Sequence, residues 1–419
     1  MAGRLRSIVG GSAGNLVEWY DWNAYAIFAL YFAHVFFPKG DRTAQLLQAA
    51  AVFALGFLAR PLGAWLMGLY ADHRGRRAAL TLSVGLMCLG SLIIAVTPGY
   101  AQIGVLAPGI LVAARLLQGL SIGGEYGASA TYLSEVSSRS RRGFGSSFQY
   151  VTIILGQLIA LMVLLVLQQS LPAASLEAWG WRIPFLVGAL LAVVVFWMRR
   201  GLTESAAWEA RGAERAHAGM LVAQHPRESG VILVLSAAGS LSFYAYTVYM
   251  QKFLVNTAGF GKPQATAIST AALTVFMLAQ PLMAWISDRL GRRPMLVIAF
   301  GLGAAVAYPA FHAITLARTW PAALALCLVP LLCLSAYTSV AAVFKAELFP
   351  AHVRALGVAL PYAIANALFG GTAEYVALWF KQAGVESGFF VYVAVANAAA
   401  LVVALAMRDT QRHSLIVED

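Results

Sequence analysis

Apolar residues occupy twelve long blocks of this chain, and short polar or glycine- and proline-containing stretches separate the blocks. They cover approximately residues 8–37, 45–71, 78–97, 104–135, 143–169, 181–200, 230–256, 264–287, 294–316, 320–347, 356–380 and 387–407. Each block is near or above the roughly 20 residues that a helix needs to cross the hydrocarbon core of a bilayer. The pattern therefore predicts an all-α integral membrane protein with twelve transmembrane helices.

The longest polar interval, at about residues 201–229, divides these blocks into two groups of six. We therefore predict three regions along the chain. They are a six-helix bundle over residues 1–200, a cytoplasmic loop over residues 201–229 and a second six-helix bundle over residues 230–419.

Composition supports a membrane protein. Of the 419 residues, 60% are hydrophobic and 11% are charged, and the mean hydropathy is +0.73. A soluble domain of this length exposes far more Lys, Arg, Asp and Glu than that. The net charge of +11 would suggest a nucleic-acid partner in a soluble protein. In a membrane protein it fits basic loops, so we expect a lipid bilayer and no nucleic acid around this chain.

The positions of Lys and Arg predict the orientation of the helices. If the N-terminus is cytoplasmic, 19 of the 29 basic residues fall on the cytoplasmic side and seven on the opposite side, while Arg60, Arg115 and Lys345 lie within spans. Cytoplasmic loops of membrane proteins carry such an excess of positive charge. We therefore expect both termini in the cytoplasm.

The two halves of the chain repeat each other. The loop sequence "GLYADHRGRR" (68–77) follows the second span, and "AWISDRLGRR" (284–293) follows the eighth. Glu135 precedes Arg142 by seven residues after the fourth span, and Glu347 precedes Arg354 by seven after the tenth. A duplicated six-helix unit is typical of transporters built from two parallel bundles. The repeat therefore favours a carrier with two pseudo-symmetric bundles over a membrane enzyme.

The paired loops resemble the G-x-x-x-D-x-x-G-R-R signature of the major facilitator superfamily, at matching places in both halves. Two positions depart from it: His73 stands where the first motif usually has Arg or Lys, and Ala284 replaces the glycine of the second. The resemblance implies a twelve-helix fold that works by alternating access.

Further stretches are similar to the metabolite:proton symporter branch of that superfamily. They include "GNLVEWYDW", "RLLQGLSIGGEYGASATYLSEV", "WGWRIPF" and "ELFPAHVRALGV", and "YMQKFLVNTAG" and "ANALFGGTAEYVAL" resemble the 2-oxoglutarate carriers of the branch. The resemblance implies proton-driven import of 2-oxoglutarate across a bacterial inner membrane. Protons are then the coupling ion, with no other cofactor, and a monomer is expected. Citrate, shikimate and zwitterionic osmolytes remain alternative substrates.

Two acids interrupt the apolar first span. Glu18 and Asp21 are three residues apart, and Asn15, Glu18, Asp21 and Tyr25 fall within about 120° of one helix face. Charged groups within a membrane span are costly and need a function or a partner. Two interpretations remain open: the acids couple proton movement to transport, or they form structural pairs with Arg60 or Arg115. Tyr25 would face the same cavity as a substrate contact.

The fourth span carries a second polar face. Its members are Arg115, Gln118, Ser121, Glu125, Ser129 and Tyr132. A guanidinium group that faces a central cavity can bind a carboxylate through two parallel hydrogen bonds, so Arg115 and Arg60 are candidate dicarboxylate ligands. The alternative is that these arginines neutralise Glu18, Asp21 or Glu125, with Glu125 a third candidate for proton coupling.

The second half offers fewer charged candidates. Ser240, Tyr244, Thr247 and Gln251 fall within about 60° of one face of an ideal helix, so Tyr244 and Gln251 are candidate substrate contacts. Lys345 and Lys252 lie near span ends. They either contact substrate or extend to the membrane interface.

Acidic and basic residues at the loop motifs predict a gate. Its candidates are Asp72, Arg76, Asp288, Arg292, Glu135, Arg142, Glu347 and Arg354. Charges at helix ends can hold two bundles together and separate when that side opens. We expect Glu135 to pair with Arg142, and Glu347 with Arg354.

Other classes find little support. The sequence has no GxxxxGK[ST] motif, which argues against an ATP-driven pump, and its seven histidines form no metal pattern. We therefore predict neither an enzyme nor a metal site. A sensor with a transporter fold and a channel are further alternatives. Saturable, proton-dependent accumulation would distinguish a carrier from both.

Overall fold

The computed structural model describes residues 2–38, 40–74, 76–122, 125–200, 221 and 223–416. This part of the chain is helical and contains no strand. The helices of the first half are α1 (Ala2–Phe36), α2 (Arg42–Arg74), α3 (Arg76–Val96), α4 (Tyr100–Ile103), α5 (Leu106–Ile122), α6 (Glu125–Val136), α7 (Arg142–Ser170), α8 (Ala173–Ala178) and α9 (Ile183–Arg200). Those of the second half are α10 (Pro226–Tyr244), α11 (Met250–Asn256), α12 (Lys262–Leu290), α13 (Arg292–Leu316), α14 (Trp320–Thr338), α15 (Ala341–Glu347), α16 (Ala351–Ala365), α17 (Ala373–Gln382) and α18 (Ser387–Ala406).

Each of the twelve predicted spans coincides with one helix or with two consecutive helices, so the predicted fold class is confirmed. Within the described residues, nine segments are long and apolar enough to cross a membrane, and Thr81–Val96 and Leu106–Ser121 are shorter apolar helices. The short helices α4 and α8 were not predicted, because each lies in a connection between apolar blocks.

Two spans contain a π-helical turn that the sequence pattern did not indicate. Ala245–Tyr249 joins α10 to α11, and Asn366–Gly370 precedes α17. A π turn hydrogen-bonds each residue to the fifth one along the chain, so it changes the face on which all later residues lie. These turns therefore determine the helix face on which the polar residues after them lie.

The chain divides into two compact units. The first comprises Met1–Glu125 and Leu155–Arg215, and the second comprises Tyr126–Ile154 and Ala216–Asp419. The second unit thus includes the segment of α6 and α7 that the sequence division assigns to the first bundle. The predicted loop at 201–229 falls largely on residues outside the described part, so that boundary stays a prediction.

Close helix contacts build the first unit. Helix α2 packs along α5, α3 packs against α5 and α9, and α1 packs against α9. Glycines permit the closest approach: a Cβ atom on Gly119 of α5 would lie 2.1 Å from the carbonyl oxygen of Gly56 on α2. In the second unit, α13 packs against α14 and α18, and α10 packs against α16 and α18.

Many exposed side chains of the helices are apolar and several buried ones are charged, which is the reverse of the distribution in a soluble protein. Among the exposed side chains are Trp65, Leu190, Trp197, Leu278 and Val402, each more than 60% exposed. Arg60, Arg115, Lys252, Lys345 and Asp21 are all buried. This distribution fits helices that contact lipid on the outside and carry polar groups inside.

Candidate transport site

Asp21 of α1 is a buried acid of the first unit that is hydrogen-bonded to two other helices. Its side chain is fully buried and accepts hydrogen bonds from Ser91 Oγ on α3 and from Gln118 Nε2 on α5, the latter at 2.5 Å. Gln118 Oε1 in turn accepts from Arg115 Nη1 at 2.8 Å. Gln118 therefore connects the acid to the arginine.

Both predicted arginines stack on aromatic side chains. The guanidinium carbon of Arg60 lies 4.1 Å from the ring centroid of Trp22 and 4.0 Å from that of Phe57. The guanidinium carbon of Arg115 lies 3.9 Å from Trp22 and 4.5 Å from Tyr25. Aromatic faces attract such cations and fix the plane of the guanidinium group. We call Asp21, Trp22, Arg60, Arg115 and Gln118 the arginine site.

Tyr25 supports this arrangement from α1. Its hydroxyl donates a hydrogen bond to the carbonyl oxygen of Ala49 at 3.0 Å, which fixes the ring beside Arg115. Glu18 is also buried, as the sequence predicts. Nearly all of α1 from Asn15 to Ala33 is buried, however, so burial alone does not select one face of this helix.

The predicted polar face of the fourth span is only partly present. Arg115, Gln118 and Ser121 are buried on α5, and Ser129 on α6 donates to Gln149 at 2.6 Å. Tyr132, in contrast, is 45% exposed. The side chain of Glu125 lies outside the described residues.

Lys345 is fully buried in the second unit, so the alternative that it extends to the membrane interface was wrong. Its Nζ donates to the Tyr126 hydroxyl at 3.1 Å and lies 4.2 Å from the ring centroid of Tyr362. The Tyr126 and Tyr362 rings stack at 3.7 Å. Among the side chains that the structure describes, Lys345 contacts this hydroxyl and aromatic rings and no carboxylate.

The predicted face of the seventh span is altered by its π turn. Ser240, Tyr244, Thr247 and Gln251 are all buried, but the turn at Ala245–Tyr249 separates the first two from Gln251. The 60° arc assumed an uninterrupted α-helix and was wrong for that reason. Gln251 Nε2 donates to Thr266 Oγ1 on α12 at 3.1 Å.

Lys252 is also buried rather than directed to an interface. Its Nζ lies 2.6 Å from Glu374 Oε1 on α17. Of these two residues, the sequence marked only Lys252 as a substrate candidate. It offered no sign that the two would meet.

A charge network surrounds the second loop motif within the second unit. Asp288 accepts hydrogen bonds from the backbone N–H groups of Gly143 (2.9 Å) and Phe144 (3.0 Å), in the first turn of α7. Unpaired N–H groups and the helix dipole favour an acid at this place. Arg292 pairs with Asp288 at 2.8 Å and lies 3.6 Å from Glu347.

The pairing of the remaining gate candidates differs from the prediction. Arg354 Nη1 contacts Glu135 Oε1 at 2.6 Å, so Arg354 pairs with the acid of the other sequence half, for which Arg142 was the predicted partner. Arg142 is buried and is the first residue of α7. The side chains of Asp72 and Arg76 lie outside the described residues.

The segment after α18 also joins this network, which the sequence did not indicate. Thr410 Oγ1 donates to Glu347 Oε2 at 2.6 Å, and Arg354 Nη2 donates to the carbonyl oxygen of Leu415 at 3.0 Å. Ile416 packs into a buried apolar cluster that includes Ala130 and Val358. Short polar segments at chain ends carry no periodic signal, so only the structure could place this one.

Buried charges on duplicated membrane-spanning helices are typical of carriers, which move a solute through the bilayer. Comparison with known proteins agrees. The family model for sugar (and other) transporters matches residues 8–232 and 211–417. The chain belongs to this family, within the major facilitator superfamily, and is a multi-pass membrane transporter and not an enzyme.

Two relatives narrow the comparison. The alpha-ketoglutarate permease of Escherichia coli (strain K12) is 52% identical over 96% of this chain and 93% of its own length. The citrate-proton symporter of Klebsiella pneumoniae is 33% identical over 88% of this chain and 83% of its own length. Among solved structures, the xylose transporter XylE from E. coli, in a partially occluded inward-open conformation, matches with a TM-score of 0.74 at 20% identity and covers 95% of each chain. At that identity the structural likeness concerns the fold alone.

Proposed function

We propose that this protein is a proton-coupled symporter that imports 2-oxoglutarate across a bacterial inner membrane by alternating access, with both termini in the cytoplasm. The arginine site is the observation that carries the proposal, because it combines buried cations with a buried acid. The 52% identity to the alpha-ketoglutarate permease supports the choice of substrate.

Carboxylate binding falls to Arg115 and Arg60. Their guanidinium planes are fixed by Trp22 before substrate arrives, so little side-chain freedom is lost on binding. Preorganised guanidinium groups bind carboxylates more strongly and with better defined geometry than a flexible ammonium group does.

Proton coupling in this unit falls to Asp21. Gln118 accepts a hydrogen bond from Arg115 and donates one to Asp21, so it links the two charged groups. A substrate carboxylate on Arg115 adds negative charge beside Asp21, in an interior that cannot screen it. Binding of the anion therefore favours binding of a proton to Asp21, and the proton in turn favours the anion. Glu18 and Glu125 remain proposed proton-coupling residues beside Asp21.

Lys345 is a proposed carboxylate ligand of the second unit. A buried ammonium group is costly unless an anion or hydrogen-bond acceptors compensate it. Its described contacts are a tyrosine hydroxyl and aromatic rings, and none of these carries a negative charge that would compensate the ammonium group. Tyr244 and Gln251 are proposed as neutral contacts of the same unit.

The arginine site speaks against a zwitterionic osmolyte. Aromatic clusters bind quaternary ammonium groups, and Trp22, Phe57 and Tyr25 would form such a cluster. Arg60 and Arg115 already lie against these rings, and their charges would repel a cationic ligand. Citrate is the second candidate, because a citrate-proton symporter is 33% identical and citrate presents the same carboxylate chemistry.

The gate is proposed at the network of Asp288, Arg292, Glu347, Arg354 and Glu135, with Arg142, Asp72 and Arg76 as further members. The Glu135–Arg354 ion pair joins α6 to α16, and backbone hydrogen bonds to Asp288 join α7 to α12. Separation of these pairs would open this end of the molecule, which the orientation of the chain makes the cytoplasmic end.

Uptake of labelled 2-oxoglutarate into proteoliposomes tests the proposal. With an inwardly directed proton gradient, we expect accumulation that unlabelled 2-oxoglutarate blocks and that citrate, succinate and proline block less. Collapse of the gradient with nigericin should abolish accumulation and leave exchange intact. Stronger competition by citrate would overturn the substrate, and accumulation that ignores the gradient would overturn the coupling.

A further inference from the structure

We propose that Lys252 and Glu374 form a second coupling site, at which a substrate carboxylate binds Lys252 while a proton binds Glu374. The proposal rests on the proposed function and extends it, because it adds one coupled proton to the one assigned to Asp21.

The two side chains form an ion pair in the interior of the second unit. Lys252 Nζ lies 2.6 Å from Glu374 Oε1, and the side chains are 1% and 2% exposed. The second oxygen, Glu374 Oε2, is buried and accepts no hydrogen bond from the described part of the chain. Among the described residues, Lys252 therefore stabilises the charge of this carboxylate, because Oε2 is buried from solvent and accepts no hydrogen bond from them.

The helices that carry the pair are each modified just before it. The π turn at Ala245–Tyr249 ends three residues before Lys252, and the one at Asn366–Gly370 ends four residues before Glu374. An extra residue in a turn rotates everything that follows by about 100° relative to an α-helix. Such turns are frequent at functional sites, and here they determine which faces Lys252 and Glu374 occupy.

The π turns also carry polar groups into the same interior. Asn366 Oδ1 is buried without a hydrogen-bond donor among the described residues. A Cβ atom on Gly370 would lie 2.9 Å from the Tyr244 ring, so the second π turn packs directly on the end of α10. Asn366 Oδ1 and Glu374 Oε2 are therefore two buried acceptors of the second unit to which no described residue donates a hydrogen bond.

The other charged and titratable groups near the pair are engaged with one another. Helix α17 packs against the first π turn, α10 and α18. Lys381 of α17 lies 3.4 Å from Glu386, and Tyr249 of the π turn donates to Glu386 at 3.0 Å. The packed elements also carry the titratable residues Tyr244, at the end of α10, Tyr375, on α17, and Tyr392, on α18. Lys252 is thus the cation in contact with Glu374, and Glu386 has its own partners.

Exchange of partners would link the anion to the proton. When a carboxylate of the substrate binds Lys252, Glu374 loses its compensating charge and takes a proton from water onto a carboxylate oxygen. When Glu374 is protonated first, Lys252 is released to bind the anion. The linkage is reciprocal, and the site carries one negative charge and one proton together. When both leave, the ion pair re-forms.

Glu374→Gln tests the proton. Wild-type and variant protein are placed in liposomes with a pH gradient of one unit, and the membrane potential is held at zero with potassium and valinomycin. Two coupled protons allow about 100-fold accumulation of labelled 2-oxoglutarate and one allows about tenfold, because each proton contributes a factor of ten. We expect the wild type near the first limit and the variant near the second.

A variant that accumulates as much as the wild type would overturn the proposal. A wild type that fails to accumulate would instead overturn the proposed function, so the two failures are distinguishable. Lys381→Met/Glu386→Gln is the matched control. It removes an ion pair of the same residue types at the opposite, C-terminal end of α17, and it should keep the wild-type limit.

The double variant Lys252→Met/Glu374→Gln separates coupling from structural support. It leaves no buried charge unpaired, so it should fold even if either single variant does not. We expect accumulation near tenfold and a KM for 2-oxoglutarate at least tenfold higher than that of the wild type. If the pair only supports packing, the double variant will recover wild-type accumulation and KM, which would overturn the proposal.

Discussion

Arg115 combines three contacts that a lysine cannot reproduce. Its guanidinium group stacks on Trp22 and Tyr25 and donates to Gln118. An ammonium group is a point charge without a planar fork, so a substitution that keeps the charge still loses stacking and paired hydrogen bonds. Arg115→Lys should raise the KM for 2-oxoglutarate at least tenfold, about 1.4 kcal/mol, in initial-rate uptake assays.

Arg289→Lys is the control for this prediction. The Arg289 guanidinium carbon lies 3.6 Å from the ring of Trp285, so the control also removes a guanidinium–aromatic contact, outside the arginine site. Its KM should stay at the wild-type value. An unchanged KM for Arg115→Lys would remove Arg115 from the substrate site.

The variant Asp21→Asn tests proton coupling at a single residue. Asp21→Asn keeps the shape of the side chain and resembles the protonated acid, so exchange of labelled for unlabelled substrate should continue. At a pH gradient of one unit and zero potential, accumulation should fall from about 100-fold to about tenfold. Asp41→Asn is the control, because Asp41 is an exposed acid that accepts a hydrogen bond from Ala44 N at the start of α2. Wild-type accumulation by Asp21→Asn would assign the proton elsewhere.

Sequence reasoning identified the acids and arginines of the first unit but not their connection. Charge within an apolar span is a strong signal, so Asp21, Arg60 and Arg115 could be found directly. Gln118 was one of several polar residues on its face, and nothing in the sequence indicated that it would join Asp21 to Arg115. Trp22 is one aromatic residue among many, and its role depends on which helices meet around it.

At the scale of helices, the contact between α2 and α5 holds Arg60 and Arg115 in place. A Cβ atom on Gly119 would lie 2.1 Å from the carbonyl oxygen of Gly56 and 3.0 Å from Ala59 Cβ. Gly119→Ala must therefore separate the helices, and overpacking of this kind typically costs about 1–3 kcal/mol. We expect a lower melting temperature in detergent and a lower uptake rate per folded molecule.

Gly109→Ala is the matched control on the same helix. A Cβ atom there meets nothing within 4 Å, so the substitution should leave uptake unchanged and slightly favour the helix. If both variants were equally stable, the close approach of α2 and α5 would not be required for folding.

Helix positions followed from the apolar blocks, but helix register did not. A block of suitable length predicts a span whatever its internal geometry, which is why twelve spans could be assigned. The π turns at Ala245–Tyr249 and Asn366–Gly370 lie inside the apolar blocks and change the hydrogen-bonding step without interrupting those blocks. The pattern therefore gave no warning that Gln251, Lys252 and Glu374 would lie on shifted faces.

At the scale of the whole molecule, the internal repeat singled out charged residues that lie in one network, namely Glu135, Asp288, Arg292, Glu347 and Arg354, and it did not predict how they pair. The seven-residue spacing recurs in both halves, so Glu347–Arg354 was the natural local pair. Arg354 contacts Glu135 instead, because segments from both sequence halves meet in the second unit. Duplication conserves the positions of charges in each half, whereas the choice of partner depends on tertiary contacts between segments distant in sequence.

Assignment of one proton to Asp21 and one to Glu374 fixes the electrical behaviour of the carrier. A dianion that enters with two protons moves no net charge, so an inside-negative potential should neither drive nor oppose uptake. A potential of −100 mV imposed by potassium and valinomycin at constant pH gradient should leave the accumulation of 2-oxoglutarate unchanged. Nigericin should abolish that accumulation in the same vesicles.

Glu374→Gln should behave differently in this measurement, because one proton leaves one negative charge uncompensated. The same potential opposes each such charge by about 2.3 kcal/mol, which lowers accumulation roughly 50-fold. A wild type that is strongly stimulated by the potential would require a third coupled proton, for which Glu18 and Glu125 are the proposed carriers. A wild type that is inhibited by the potential would carry fewer than two, and one of the two assigned sites would then be wrong.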